Sequence, residues 1–160
     1  MTYEDVLNRL HTKEAASSCP FCDPNPTRVV WESDLAIAIR DGFPVSRGHT
    51  LVIPRRHVAT WFDANPWEQQ AIFQGVDAVK RALDAEFAPD GYNVGFNAGV
   101  AAGQTVMHLH VHVIPRFDGD MDDPRGGVRG VIPAKQKYGD GGGSASRDPR
   151  PDTGTDCTRR

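Results

Sequence analysis

The 160-residue chain has no apolar run approaching the roughly 20 residues that span a bilayer, so no membrane-spanning segment is expected. It also lacks an excess of basic charge: the formal net charge is −3. That balance argues against a general nucleic-acid binder, while a local basic patch stays open. Cysteine is scarce, with three residues, too few for a disulfide framework. The opening stretch MTYEDVLNRLHTKE is polar and acidic, without a signal-peptide core, and a cytoplasmic location is the expectation. No internal repeat is evident. Hydrophobic residues make up 39% and charged residues 24%, which fits one globular domain with a real core.

The last segment, GDGGGSASRDPRPDTGTDCTRR, has no aliphatic residue larger than alanine. It cannot bury enough surface to offset its ordering entropy. Residues 139–160 are therefore expected to be a disordered tail, with Cys157 incidental, and residues 1–138 to form the domain. Within the domain, YEDVLNRLHTKE suggests a short helix. RVVWES and LAIAIRD suggest two strands around a turn at Ser33–Asp34, and HTLVIPRR a third. The strongest helix signal begins at Asn65. Asn65 caps, Pro66 takes the first helical position, and Glu68 completes a capping box. Ile72, Val76, Val79, Leu83 and Phe87 then form one apolar stripe at helical spacing. YNVGFNAG suggests a fourth strand. The segment from Val106 to Ile114, rich in β-formers, suggests a fifth. The expected fold is α+β: a mainly antiparallel five-stranded sheet, one long helix and a short N-terminal helix.

That fifth strand contains half of the chain's six histidines, in MHLHVHVIP. Alternation along a strand would put His108, His110 and His112 on one face and press Leu109, Val111 and Val113 into the core. Imidazoles with an ordinary pKa of about 6.5 can hold or move protons near neutrality, bind a metal or act as nucleophiles. Three in register are hard to ascribe to a solvated face. Before them, NAGVAAGQTV carries Gly99 and Gly103, where a loop approaches a ligand closely, and Gln104 and Thr105, whose donors suit phosphate oxygens.

GQTVMHLHVHVIP resembles the signature of the histidine triad superfamily, with a Gly-Gln-Ser/Thr loop before alternating histidines. RDGFPVSRGHTLVIPRRH and DDPRGGVRGVIPAKQKY are similar to segments before and after it, so the resemblance covers nearly the whole expected domain. It implies a nucleotide hydrolase or transferase acting at the α-phosphate. His110 would attack phosphorus to form a nucleotidyl-histidine, and His112 would assist the leaving group. Thr105, Gln104 and nearby backbone N–H groups, including that of Gly103, would stabilise phosphate charge. By the same resemblance, Asn97 binds the phosphate or the departing group. Asp41 either accepts from ribose hydroxyls or is a solvated turn residue. Ile39 and Phe43 line an apolar base pocket or simply pack in the core.

CPFC, Cys19 to Cys22, has the spacing of half a zinc site. The resemblance to zinc-carrying branches, including the galactose uridylyltransferases, adds His57 and His108 as the remaining ligands. Four protein ligands would make the zinc structural. The other reading is a reduced cysteine pair without metal. His49 is a competing ligand, or a supporting residue beside the catalytic row. No organic cofactor is expected.

Dinucleoside polyphosphates, of the diadenosine tetraphosphate type, and nucleoside phosphoramidates are the two substrate classes, with hydrolysis or phosphorolysis both open. The ending VIPRF leans towards the polyphosphate branch, with Arg116 available to hold an anionic leaving group. A non-catalytic nucleotide binder would not need the middle histidine. A metal-trafficking protein would leave the Gly-Gln-Thr loop unexplained. A homodimer is expected, because one helix cannot cover a five-stranded sheet and also shield its edge.

Overall fold

The computed structural model describes residues 19–138. The expected N-terminal helix, the tail from residue 139 and Cys157 lie outside the described residues. Five strands are present: β1 (Val29–Glu32), β2 (Ala36–Arg40), β3 (Thr50–Pro54), β4 (Gly91–Gly95) and β5 (Val111–Arg116). One long helix, α1 (Pro66–Phe87), joins β3 to β4. The sheet order is β1-β2-β3-β5-β4, antiparallel throughout, so β5 inserts between β3 and β4. This is the expected α+β architecture.

The helix begins where its capping residues place it. Asn65 Oδ1 accepts from the amides of Trp67 and Glu68, and Glu68 returns the bond by accepting from the Asn65 amide. Glu68 is fully buried, yet its carboxylate is satisfied. Arg56 donates to both of its oxygens, at 2.7 and 2.8 Å. The expected stripe faces the sheet: Ile72, Val79 and Leu83 are buried, with Val76 and Phe87 packed at the margin. Burial on this scale stabilises by about 1.5–3 kcal/mol for each large side chain. Gly75 lets the helix sit close, since a Cβ there would lie 2.7 Å from both Trp31 and Val52. The helix ends at Ala88, whose left-handed φ of 46° breaks the helical path.

The helix covers one face of the sheet, where Ala36, Ala38, Val52, Val111 and Val113 form the main core. On the other face Ile37, Ile39, Leu51 and Ile53 make a smaller cluster, with Phe21 and Val29 against it. That second face carries the candidate site.

One expectation needs correction. The histidine segment is not a strand throughout: β5 starts only at Val111, so His108 and His110 precede it. The cause lies in β3, which ends at Pro54 and has no N–H to extend a ladder. The Pro54 carbonyl is occupied by the ring of His108, and Leu109 N–H instead donates to Val58 O at 2.7 Å. Alternation survives without the ladder. Leu109, Val111 and Val113 are buried in the helix-side core, opposite the imidazoles.

Candidate active site and metal centre

The first two triad rings each face a carbonyl that fixes which nitrogen carries hydrogen. His108 Nε2 lies 2.9 Å from Pro54 O, and a carbonyl can only accept, so Nε2 is the protonated nitrogen. Its Nδ1 lone pair then points at sulfur, 3.5 Å from Cys19 Sγ and 3.6 Å from Cys22 Sγ. His57 Nδ1 lies 3.2 Å from Cys22 Sγ, and the two imidazoles stand edge to face. The ligand atoms of Cys19, Cys22, His57 and His108 lie within 4.8 Å of one another, a possible metal site. The donor set fits a metal that favours sulfur and imidazole, and the Pro54 carbonyl supplies the outer hydrogen bond that orients a metal-binding histidine.

His110 has the same logic with a different outcome. Its Nδ1 donates to His108 O at 2.8 Å, leaving the lone pair on Nε2. The ring is 8% exposed and lies between Phe21, with centroids 5.0 Å apart, and His112, at 5.1 Å. Sequence reasoning missed Phe21. Its signal was an aromatic residue enclosed by two cysteines, which the Cys19–Cys22 spacing carries against the triad.

His112 is backed by His49. His49 Nε2 and His112 Nδ1 are 3.0 Å apart. Behind that pair, His49 Nδ1 accepts from the Val45 amide at 3.3 Å and stands 3.3 Å from Asp41 Oδ2. Asp41, His49 and His112 also fall within ligand distance of one another. The direct imidazole–imidazole contact gives His49 a supporting place in the histidine row.

The loop before the triad is built by Gln104. Its Oε1 accepts from Gly99 N at 2.7 Å, and its Nε2 donates to Ala59 O and Val106 O. Buried and engaged at both ends, Gln104 shapes the loop. Gly103 turns at φ 86°, a conformation that side chains other than hydrogen rarely adopt. Gly103 and Thr105 are exposed and Asn97 is half-buried. Ile39 lies in the floor cluster at 1% exposure. Phe43 is not brought to the triad: it is 91% exposed on the turn after Asp41, and its amide donates to Asp41 Oδ1.

Burial holds His112 near a pKa of about 4, with the neighbouring His110 and His49 adding to the effect, against an ordinary 6.5. Burial lowers His49 as well. An unfolded chain therefore protonates both rings near pH 6.5, while in the folded chain His49 resists below that value and His112 resists until about 4. The stability they contribute is present above pH 6.5 and is lost as pH falls through that window. Thermal melts of chelator-treated protein should show Tm declining between about pH 6.5 and 4. A flat Tm across that range would contradict the burial of His112.

Comparison with known proteins agrees with this geometry. A model of the HIT domain matches residues 23–119, well over half of the chain. The chain belongs to the histidine triad family. Among its histidine triad relatives is the asymmetrical bis(5'-nucleosyl)-tetraphosphatase of Schizosaccharomyces pombe. It is 37% identical over 100 residues, covering 62% of this chain and 55% of that protein. A solved HIT family protein from Bacillus anthracis superposes with a TM-score of 0.61 at 38% identity, covering 66% of this chain and 78% of that one. A zinc-bound histidine triad family protein from Mycobacterium smegmatis gives a TM-score of 0.59 at 37% identity, covering 64% and 78%. This histidine triad protein is a nucleotide hydrolase or transferase of that type. Among the described residues, no helix is long and apolar enough to cross a membrane.

Proposed function

We propose that this protein hydrolyses a nucleotide conjugate at its α-phosphate through a covalent nucleotidyl-histidine, with dinucleoside polyphosphates as the substrate class. The observation that carries the reading is the bond from His110 Nδ1 to His108 O, which leaves Nε2 as the nucleophilic nitrogen. The Nε2–P bond forms as the bridging P–O bond breaks, and water then cleaves the P–N bond. His112, backed by His49, meets the bridging oxygen and assists its departure. Thr105, the Gly103 amide and Asn97 hold the non-bridging oxygens, and Gln104 keeps their loop in shape. Ile39 floors the base site beside Phe21, and Asp41 accepts from the ribose hydroxyls.

The name of the Schizosaccharomyces pombe relative supports polyphosphates over phosphoramidates. Incubation with diadenosine tetraphosphate and with a nucleoside phosphoramidate should release mononucleotide, faster from the first. Release from neither would leave a nucleotide binder without catalysis.

Cys19, Cys22, His57 and His108 would hold a structural zinc, since four protein ligands leave no open position. The zinc-bound Mycobacterium smegmatis relative supports the choice of metal. A cytoplasmic setting, which keeps cysteines out of disulfides, suits Cys19 and Cys22 as ligands.

The protein pairs with a second copy through the β4 edge and the start of α1. Phe96, just past β4, stacks on Trp61 at 5.3 Å between centroids, and Phe62 and Phe73 beside them are 79% and 64% exposed. Apolar surface of this kind beside an unpaired strand edge favours association. Sedimentation at micromolar concentration should give a dimer, and Phe73→Glu should shift it towards monomer. Wild-type protein that sediments as a monomer would sink this assignment.

A further inference from the structure

An open cavity of about 510 Å³ lies on the triad face of the sheet, beyond His112. Alternation along β5 brings His112, Ile114 and Arg116 to the same face, in steps of about 6.7 Å. Register confirms the alignment: Gly95 pairs with His112, and Asn93 pairs with Ile114 at the cavity. The other wall is the loop of Val45 and Arg47. Its Val45 amide donates to His49 Nδ1, so the wall is joined directly to the His49–His112 pair.

The charges in this cavity are unequal in their freedom. Arg116, the cation that sequence reasoning offered for a leaving group, is engaged. It donates to both carboxylate oxygens of Asp120 and to Asn93 Oδ1, at 2.6 to 2.7 Å. Its charge is neutralised in place. Arg47 is exposed and has no acidic partner among the described residues. Its guanidinium lies over the rings of Phe117, at 4.8 Å, and Phe87, at 5.4 Å. Stacking of this kind fixes the plane of a guanidinium while leaving its N–H groups to an incoming anion. Among the described residues, Arg47 is thus the one positive charge of the cavity without an acidic partner, stacked in a defined orientation.

The direction of the reaction places an anion there. In-line displacement sets the attacking and leaving atoms on opposite sides of phosphorus. With His110 attacking, the leaving group departs away from it, past His112 and towards Ile114 and Arg116. We infer that this cavity receives the polyphosphate of the leaving group, and that Arg47 is the residue that selects an anionic leaving group over a neutral amine. The inference rests on the nucleotidyl-histidine reading above. As the His110 Nε2–P bond forms, the electron pair of the breaking bond leaves on the β-phosphate oxygen. Arg47 then faces the chain of phosphates carrying that charge.

The test compares wild type with Arg47→Met and Arg47→Lys. For each, kcat/KM is measured on diadenosine tetraphosphate and on a nucleoside phosphoramidate with a neutral amine leaving group. Binding of inorganic tripolyphosphate is measured by calorimetry. The ratio of the two kcat/KM values should fall about 10-fold in Arg47→Met, the loss of one charge-assisted contact, and recover in part in Arg47→Lys. Tripolyphosphate should bind wild type and weaken by a similar factor in Arg47→Met. An unchanged ratio in an active enzyme overturns the inference and leaves the proposed function standing. Absence of turnover on both substrates, with tripolyphosphate still dependent on Arg47, ends the proposed function but keeps the anion site. Tripolyphosphate binding that is indifferent to Arg47 overturns the site. Arg47→Lys, retaining the charge, covers the case in which loss of the stacked side chain unfolds the loop.

Discussion

His110→Ala should reduce kcat by roughly 10⁴- to 10⁶-fold, the range seen when an enzyme loses its nucleophile. Nucleotide affinity should change only a few-fold, because the lost interaction belongs to the chemical step. His110 is almost enclosed and its Nδ1 satisfies the His108 carbonyl, so the substitution also leaves a small void and an unpaired acceptor. A Tm measurement therefore accompanies the kinetics. His110→Asn, which keeps a donor near that carbonyl, should be as inactive as His110→Ala while losing less stability. Near-wild-type turnover in either variant would remove the covalent mechanism.

The second large effect concerns the metal centre. Purified, untagged protein should contain about one zinc per chain if Cys19, Cys22, His57 and His108 bind it. At free metal 1,000-fold above the dissociation constant, binding contributes about 4 kcal/mol, or about 8–16 °C in Tm for a chain of this size. Chelation should lower Tm by that order, and so should Cys22→Ser, with zinc content falling in parallel. Protons compete for the thiolates and imidazoles, so metal should be released as pH falls. Cys22→Ser protein that stays folded should retain chemistry at His110, whereas His108 variants should lose metal and activity together, since His108 supports His110 through its carbonyl. Zinc-free protein of full stability and activity would reduce the cysteine pair to a coincidence of spacing.

The helix was legible because its signals are local. Asn65, Pro66 and Glu68 occupy neighbouring positions whose hydrogen bonds close on one another, and the stripe from Ile72 to Phe87 repeats at one period. The triad was legible as a pattern of side chains, but not as a strand. Alternation requires only an extended backbone, whereas a strand requires a partner, and Pro54 withdraws that partner below Val111. Gln104 shows a similar limit. Its amide suits a phosphate oxygen by composition, yet it donates to the carbonyl of Ala59, 45 residues away, which no local pattern announces. Phe43 and Arg47 mark the same limit. An aromatic residue near Asp41 suggested a base pocket but stands in solvent, while an unremarked arginine lies on two rings contributed by distant elements.

The close seat of α1 at Gly75 has a consequence for the time scale of the site. With no Cβ between them, the helix backbone rests on Trp31 of β1 and Val52 of β3. Val52 pairs with Val111, and the next residue pair in the ladder is Leu51 with His112. Opening the sheet beneath His112 therefore requires lifting the helix as well, so the two should unfold as one cooperative unit. Amide hydrogens of Val52, Val111 and the middle of α1 should exchange with solvent last and together, while those of the Gly99–Gly103 loop exchange early. Gly75→Ala, which wedges the seat apart, should speed exchange across β3 and β5 before any change is visible at the loop.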